Sequence, residues 1–167
     1  MKHKNIDDEF RYRMMLRTVE ALHDKCIEKD LGLSSGKGLW MPLLTIICSF
    51  IDGLSKLVDE ENEKKSKATE ENEKKSKATK ARYIKYIEDN FKGLNTYVGG
   101  KNFYEKFRTN QIHEFSLPEG YGISRENSFK TPWYIKKENS ITYLNIDKLY
   151  SDFHKHVKEL WEKSKKE

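Results

Sequence analysis

Between Trp40 and Val58 the chain carries Leu43, Leu44, Ile46, Ile47, Phe50, Ile51, Leu54, Leu57 and Val58, which surround most of a helix's circumference. A helix that is apolar on nearly every side has to be enclosed by others, so this segment is expected at the centre of a bundle. Pro42 is compatible with its first turn, where a missing N–H costs nothing. The longest apolar run, Leu39 to Ile51, is broken by Pro42, Thr45 and Ser49. At about 13 residues it falls short of the roughly 20 that a bilayer crossing needs. The N-terminal MKHKNIDDEF lacks the apolar stretch of a signal peptide. The expectation is a soluble, cytoplasmic protein with no membrane association.

What surrounds this helix can be read by period. From Asp7 to about Lys29, Phe10, Met14, Val19, Leu22 and Cys26 recur every three to five residues, which predicts an amphipathic helix closed by the turn-forming LGLSSGKG. A third helix over about 80–91 presents Tyr83, Ile84, Ile87 and Phe91. GLNTYVGG then reads as a turn, and a fourth helix from about Asn102 to His113 carries Phe103, Tyr104, Phe107, Gln111 and Ile112. Pro118, Gly120 and Gly122 end the helical texture. Trp133–Lys136 and Ile141–Asn145, flanking KENS, predict a short hairpin. Asp147 is expected to cap a last helix with Leu149, Phe153, Val157, Leu160 and Trp161 on one face. The fold class is mainly α: one domain over 1–167, a bundle of four to five helices with a small β-hairpin near the C-terminus.

Charge is distributed unevenly. Charged residues make up 35% of the 167, and residues 60–69 and 70–79 are two identical copies of EENEKKSKAT. Each copy holds three Glu and three Lys, so the pair adds twelve charges and no net charge. Its Glu and Lys fall at three- and four-residue separations, which support a solvated helix. The stretch has nothing larger than Ala to bury and reads as a charged helical extension or a linker. The net charge of +5 therefore belongs to the rest of the chain, and a modest positive excess fits a polyanion partner without demanding one.

Cys26 and Cys48 are expected as buried, reduced thiols. No motif implies a cofactor or a metal. Gly32 to Lys37 has the wrong spacing for a phosphate loop and follows a helix, and His154 and His156, two apart, face different ways and are expected in solvent.

The segment FYEKFRTNQIHEF, residues 103–115, is the informative one. Arg108 can hold a phosphate through its fork of donors, and His113 can move a proton near neutrality. Together they offer the phosphate binding and one of the proton transfers that metal-independent cleavage of RNA uses. On an ideal α-helix five positions separate two side chains by about 140°, so the pair does not share one face. Spacing alone favours a solvated Arg beside a His that finishes the helix. Phe103, Tyr104, Phe107 and Phe115 fit the apolar part of an interface, a stacking surface for bases, or the core.

Arg-x4-His late in a small helical bundle resembles the HEPN superfamily. More narrowly, IICSFIDGLSKL (46–57), ARYIKYIEDNF (81–91) and FYEKFRTNQIHEF (103–115) are similar to a group of bacterial proteins of that type. The resemblance spans about residues 40–125. It implies a HEPN-like bundle and a metal-independent endoribonuclease in a toxin–antitoxin or defence setting, with RNA as substrate. Arg108 and His113 would be the catalytic pair, and Asp52, Thr109 and Asn110 supporting residues. It also implies a homodimer in which two Arg–His pairs face one cleft, and an antitoxin or other protein partner. Thr109 stands where the family usually has Asn, which here falls at Asn110. Phe115 replaces the Tyr that some HEPN toxins use for control by nucleotide modification. For Asp52 a polar residue at a helix edge is the other reading. For the whole chain the alternative is a non-catalytic HEPN-like module that binds protein or RNA.

Overall fold

The computed structural model describes residues 2–27, 40–63, 72–109, 116–124 and 134–166. Helix α1 spans Lys2–Ile27, α2 Trp40–Glu63, α3 Asn72–Asn90 and α4 Lys92–Tyr97. A short α5, Gly100–Asn102, runs on as a π-helix over Phe103–Arg108. Strands β1 (Tyr121–Ser124), β2 (Ile135–Glu138) and β3 (Ile141–Asn145) precede the final helix α6, Ile146–Ser164. The protein is thus mainly helical with one small sheet near its C-terminal end.

Helix α2 takes the central place its composition predicts, packing on α1, α3 and α6. Leu43, Leu44, Ile47, Cys48 and Ile51 are completely buried along it. The apolar stretch is longer than the run Leu39–Ile51 suggests: over Trp40–Val58 the helix is long and apolar enough to cross a membrane by length and composition. In this fold 39% of that window is buried, and Pro42, Ser49, Lys56 and Val58 are the exposed positions of the span.

Helix α1 corrects the sequence reading. Phe10 and Met14, assigned above to its apolar face, are 63% and 45% exposed. Val19 and Leu22 of that stripe do face the core, Val19 fully buried and Leu22 partly, and they are joined there by Leu16, Tyr12 and Met15, which the stripe left out. Spacings of three to five residues had merged two stripes, and only contact with the rest of the chain separates them. LGLSSGKG and the Cys26 side chain lie outside the described residues.

Both repeat copies are drawn into helices, the first by the end of α2 at Glu63 and the second by the start of α3 at Asn72. Residues 64–71 lie outside the described residues. GLNTYVGG is not a simple turn. Residues 92–97 form α4, which buries Leu94, and the reversal is confined to Val98 and Gly99. Gly99, at φ +82°, donates its N–H to the Leu94 carbonyl, a helix stop that suits a residue without a Cβ.

The expected hairpin forms, shifted by two residues in its first strand. Asn139 and Ser140, both at positive φ, make a two-residue turn that matches the strand twist. Lys137 and Glu138 of KENS belong to β2, antiparallel to β3. On its other side β3 pairs in parallel with β1, a strand not anticipated from the glycine-rich sequence. Gly122 explains that sequence: a Cβ there would stand 2.7 Å from the Tyr143 ring, so the close approach requires glycine. The cap of α6 is Asn145, whose Oδ1 accepts from the Lys148 N–H at 3.1 Å, and not Asp147. Asp147 is turned toward α1, where its carboxylate lies 3.2 Å from His23 Nε2.

The two C-terminal histidines are not solvated. His154 Nε2 lies 2.6 Å from Glu20 on α1. His156 is mostly buried, edge-on to Phe91, with its Nε2 2.7 Å from the Tyr86 hydroxyl. A Tyr hydroxyl donates to neutral imidazole, and burial holds His156 below the ordinary histidine value of 6.5. Below that value the unfolded chain takes up the proton more readily than the native one. The stability His156 contributes is therefore complete above the unfolded value and lost as pH falls through the folded one. Urea unfolding measured from about pH 7.5 to about pH 5 is expected to show a steeper loss for wild type than for His156→Gln. Parallel curves would show that this imidazole is not held neutral by the fold.

Candidate active site

The π-helix places Arg108 at its C-terminal end. Hydrogen bonds in a π-helix run from i to i+5, so Thr109 donates both its N–H and its hydroxyl, the latter at 3.0 Å, to the Tyr104 carbonyl. Phe103 and Phe107, fully buried and stacked at 5.7 Å, lock this winding into the core. They are therefore neither an interface nor a base-stacking surface, and core is what remains of the three readings. Gly100, packed against Ile84 of α3, brings the segment's entry close to that helix.

Seated this way, Arg108 meets groups from three elements. Its Nη2 lies 3.7 Å from Asp52 Oδ2 on α2, with the two side chains only 12% and 14% exposed. Its Nη1 lies 3.5 Å from the hydroxyl of Tyr104, one turn back. The guanidinium carbon sits 5.0 Å from the Tyr104 ring centroid and 6.0 Å from that of Tyr83 on α3, within range of cation–π attraction. Asp52 is thus not a polar residue idling at a helix edge. Its backbone carbonyl also accepts from Ser55 Oγ, which in turn accepts from Arg82 Nε of α3 at 3.4 Å.

Among the described residues, two polar atoms of this cluster, Asp52 Oδ1 and Arg108 Nε, are buried without a hydrogen-bond partner. Unmet buried donors and acceptors cost free energy, which makes this cluster the candidate site. Beneath them Cys48 is buried as expected, and burial pushes its thiol up to about 12 despite the Tyr83 hydroxyl and Arg108. The same burial, with Cys48 adding to it, raises Tyr83 well above its usual value, so both remain neutral. At the rim Lys80 donates to Glu105 Oε1 at 2.7 Å, a bond that holds the Glu105 carboxyl below the usual range.

Of the residues anticipated from sequence, Arg108, Asp52 and Thr109 are described, and the first two are brought together. The hydroxyl of Thr109 is spent on its own helix. Asn110, His113 and Phe115 lie outside the described residues. Sequence reasoning read Tyr104 as interface, base-stacking surface or core and Tyr83 as part of an apolar helix face, and placed neither of them, nor Lys56, beside Arg108 and Asp52. The spacing of four in Asp52–Lys56 and Tyr104–Arg108 was the available signal for two of them, while nothing local pointed to Tyr83. Among the described residues no three His, Cys, Asp or Glu side chains are grouped so as to hold a metal ion. No protein-family model, no curated protein and no solved structure matches this chain.

Proposed function

We propose that the chain is a HEPN-type endoribonuclease that works without a metal, and that Arg108 and His113 are its catalytic pair. The observation that carries the reading is the Arg108–Asp52 contact, which sets a nearly buried guanidinium opposite a carboxylate and near two tyrosine rings. Rigid placement of a cation in a site of low dielectric is what stabilises charge building up on a phosphodiester. His113, five residues on, takes the proton from a ribose 2′-hydroxyl, whose oxygen attacks phosphorus. The 5′-oxygen leaves with a proton from a second acid, and a 2′,3′-cyclic phosphate remains. One His per site leaves that second transfer to another copy, so the reading includes a homodimer with two Arg–His pairs at one cleft. RNA is the substrate, a cytoplasmic toxin–antitoxin or defence system the setting, and an antitoxin the expected protein partner.

A non-catalytic HEPN-like interaction module is the second reading. The exposed Phe10 and Met14 on α1 favour it, because paired large apolar side chains in water suit protein contact. Incubating end-labelled RNA with purified protein in EDTA separates the two. Wild type is expected to cleave and His113→Ala is not. If the two proteins leave the RNA in the same state, the nuclease reading falls and the interaction module stands.

A further inference from the structure

Asp52 Oδ2 serves two cations. Arg108 Nη2 lies 3.7 Å from it, and Lys56 Nζ, one turn further along α2, lies 3.1 Å from the same oxygen. Helical pairs four residues apart are ordinary, and Lys85–Asp89 on α3 is one, with the carboxylate 58% exposed. Around Asp52 the arrangement differs in two respects. Its carboxylate is largely covered, at 14% exposure, and its negative charge is shared between two positive ones. The trio carries a net positive charge. Because both cations reach one oxygen, they stand no further apart than the span a bridging phosphate group covers.

The side chains also differ in access. Arg108 is 12% exposed, whereas Lys56 is 52% exposed, so Lys56 forms the outer lip of the site. An anion approaching from solvent meets the ammonium first and the guanidinium behind it. We infer that Lys56 is the second cation of the phosphate site, positioned by Asp52 so that a phosphodiester of single-stranded RNA bridges Lys56 Nζ and Arg108. This rests on the reading of Arg108 as a phosphate-binding residue. Lys56 brings the phosphate in and holds it, and Arg108, being preorganised, stabilises the charge that develops.

The test is the salt dependence of binding, with a single-stranded RNA oligonucleotide as probe and the full chain carrying His113→Ala to prevent cleavage. In that background Lys56→Gln is expected to reduce the slope of log K against log salt by about 0.7, the value of one phosphate contact on a single strand. Lys56→Arg is expected to retain the slope, and Lys85→Gln, which removes an exposed lysine elsewhere, to leave it unchanged. A slope for Lys56→Gln equal to that of Lys85→Gln overturns the inference, even where wild type cleaves RNA. A selective loss at Lys56 upholds it, even where wild type fails to cleave and the nuclease reading is gone. Absence of salt-dependent binding by the parent protein overturns both.

Discussion

Asp52→Ala is expected to lower the free energy of unfolding by about 3 kcal/mol, equivalent to a fall in Tm of roughly 6–12 °C for a chain of this size. The cause is what remains and not what is removed. Arg108 is anchored by Phe103 and Phe107 on its own helix and stays nearly buried, with no carboxylate opposite. A buried charge stripped of its counterion costs far more than the pair was worth intact. Asp52→Asn keeps an acceptor in place and is expected to recover part of the loss. Under the nuclease reading the same Asp52→Ala substitution reduces kcat by about 10²-fold, since an Arg freed from its positioning partner no longer meets the transition state preorganised. Thermal melts and the EDTA cleavage assay read the two effects independently. A stability change under about 1 kcal/mol, the range of solvent-exposed pairs, would show that the contact is wet.

The second large effect lies in the core. Phe153→Ala on α6 is expected to cost about 3–5 kcal/mol, because a fully buried ring is lost and packed helices cannot close the space. Phe153 has no exposed surface, and its ring lies 6.2 Å from that of Phe50 on α2. Phe10→Ala is expected to change stability by no more than about 0.5 kcal/mol. Both residues are phenylalanines at helical spacing, and both look like core in the sequence. Comparing their urea midpoints tests whether α1 presents the face described above. A large loss for Phe10→Ala would place that ring against another part of the molecule or a second copy.

Those two phenylalanines show how far the sequence could be read. Periodicity fixes the kind of element and, where one stripe is much more apolar than its surroundings, the buried face. Helix α6 was legible to that depth, and Leu149, Phe153 and Val157 are completely buried. In α1 two stripes compete, and apolar character alone did not rank them. The cap of α6 was misplaced by two residues because Asn145 and Asp147 both have capping side chains, and Asp147 is drawn instead to His23 across the bundle. The helix over 92–97 was hidden by glycine, asparagine and threonine, which favour turns in isolation. Burial of Leu94 and the hydrogen bond of Asn95 Oδ1 with the Gly100 N–H hold it in place.

The candidate site divides in the same way. Arg108 and His113 stand out by chemistry, whereas Asp52 is one carboxylate in the apolar span Trp40–Val58. An α-helical wheel misjudges the Arg108 surroundings because residues 103–108 are wound as a π-helix, which local propensity does not announce. The Tyr83 ring enters only when α3 and the π-helix converge, and the Asp52–Lys56 pair meets Arg108 only when α2 joins them.

By itself, then, the sequence determined a helical chain built around Trp40–Val58 and a C-terminal hairpin. These follow from hydrogen bonds and amphipathic faces that close within a few residues, so a short window contains their cause. Only the tertiary structure decided which face of α1 is covered, that β1 joins β3 in parallel, and that Asp52 is shared by Arg108 and Lys56. Each of those depends on what a distant segment offers: an apolar surface, an open strand edge or an opposite charge. No local pattern records that.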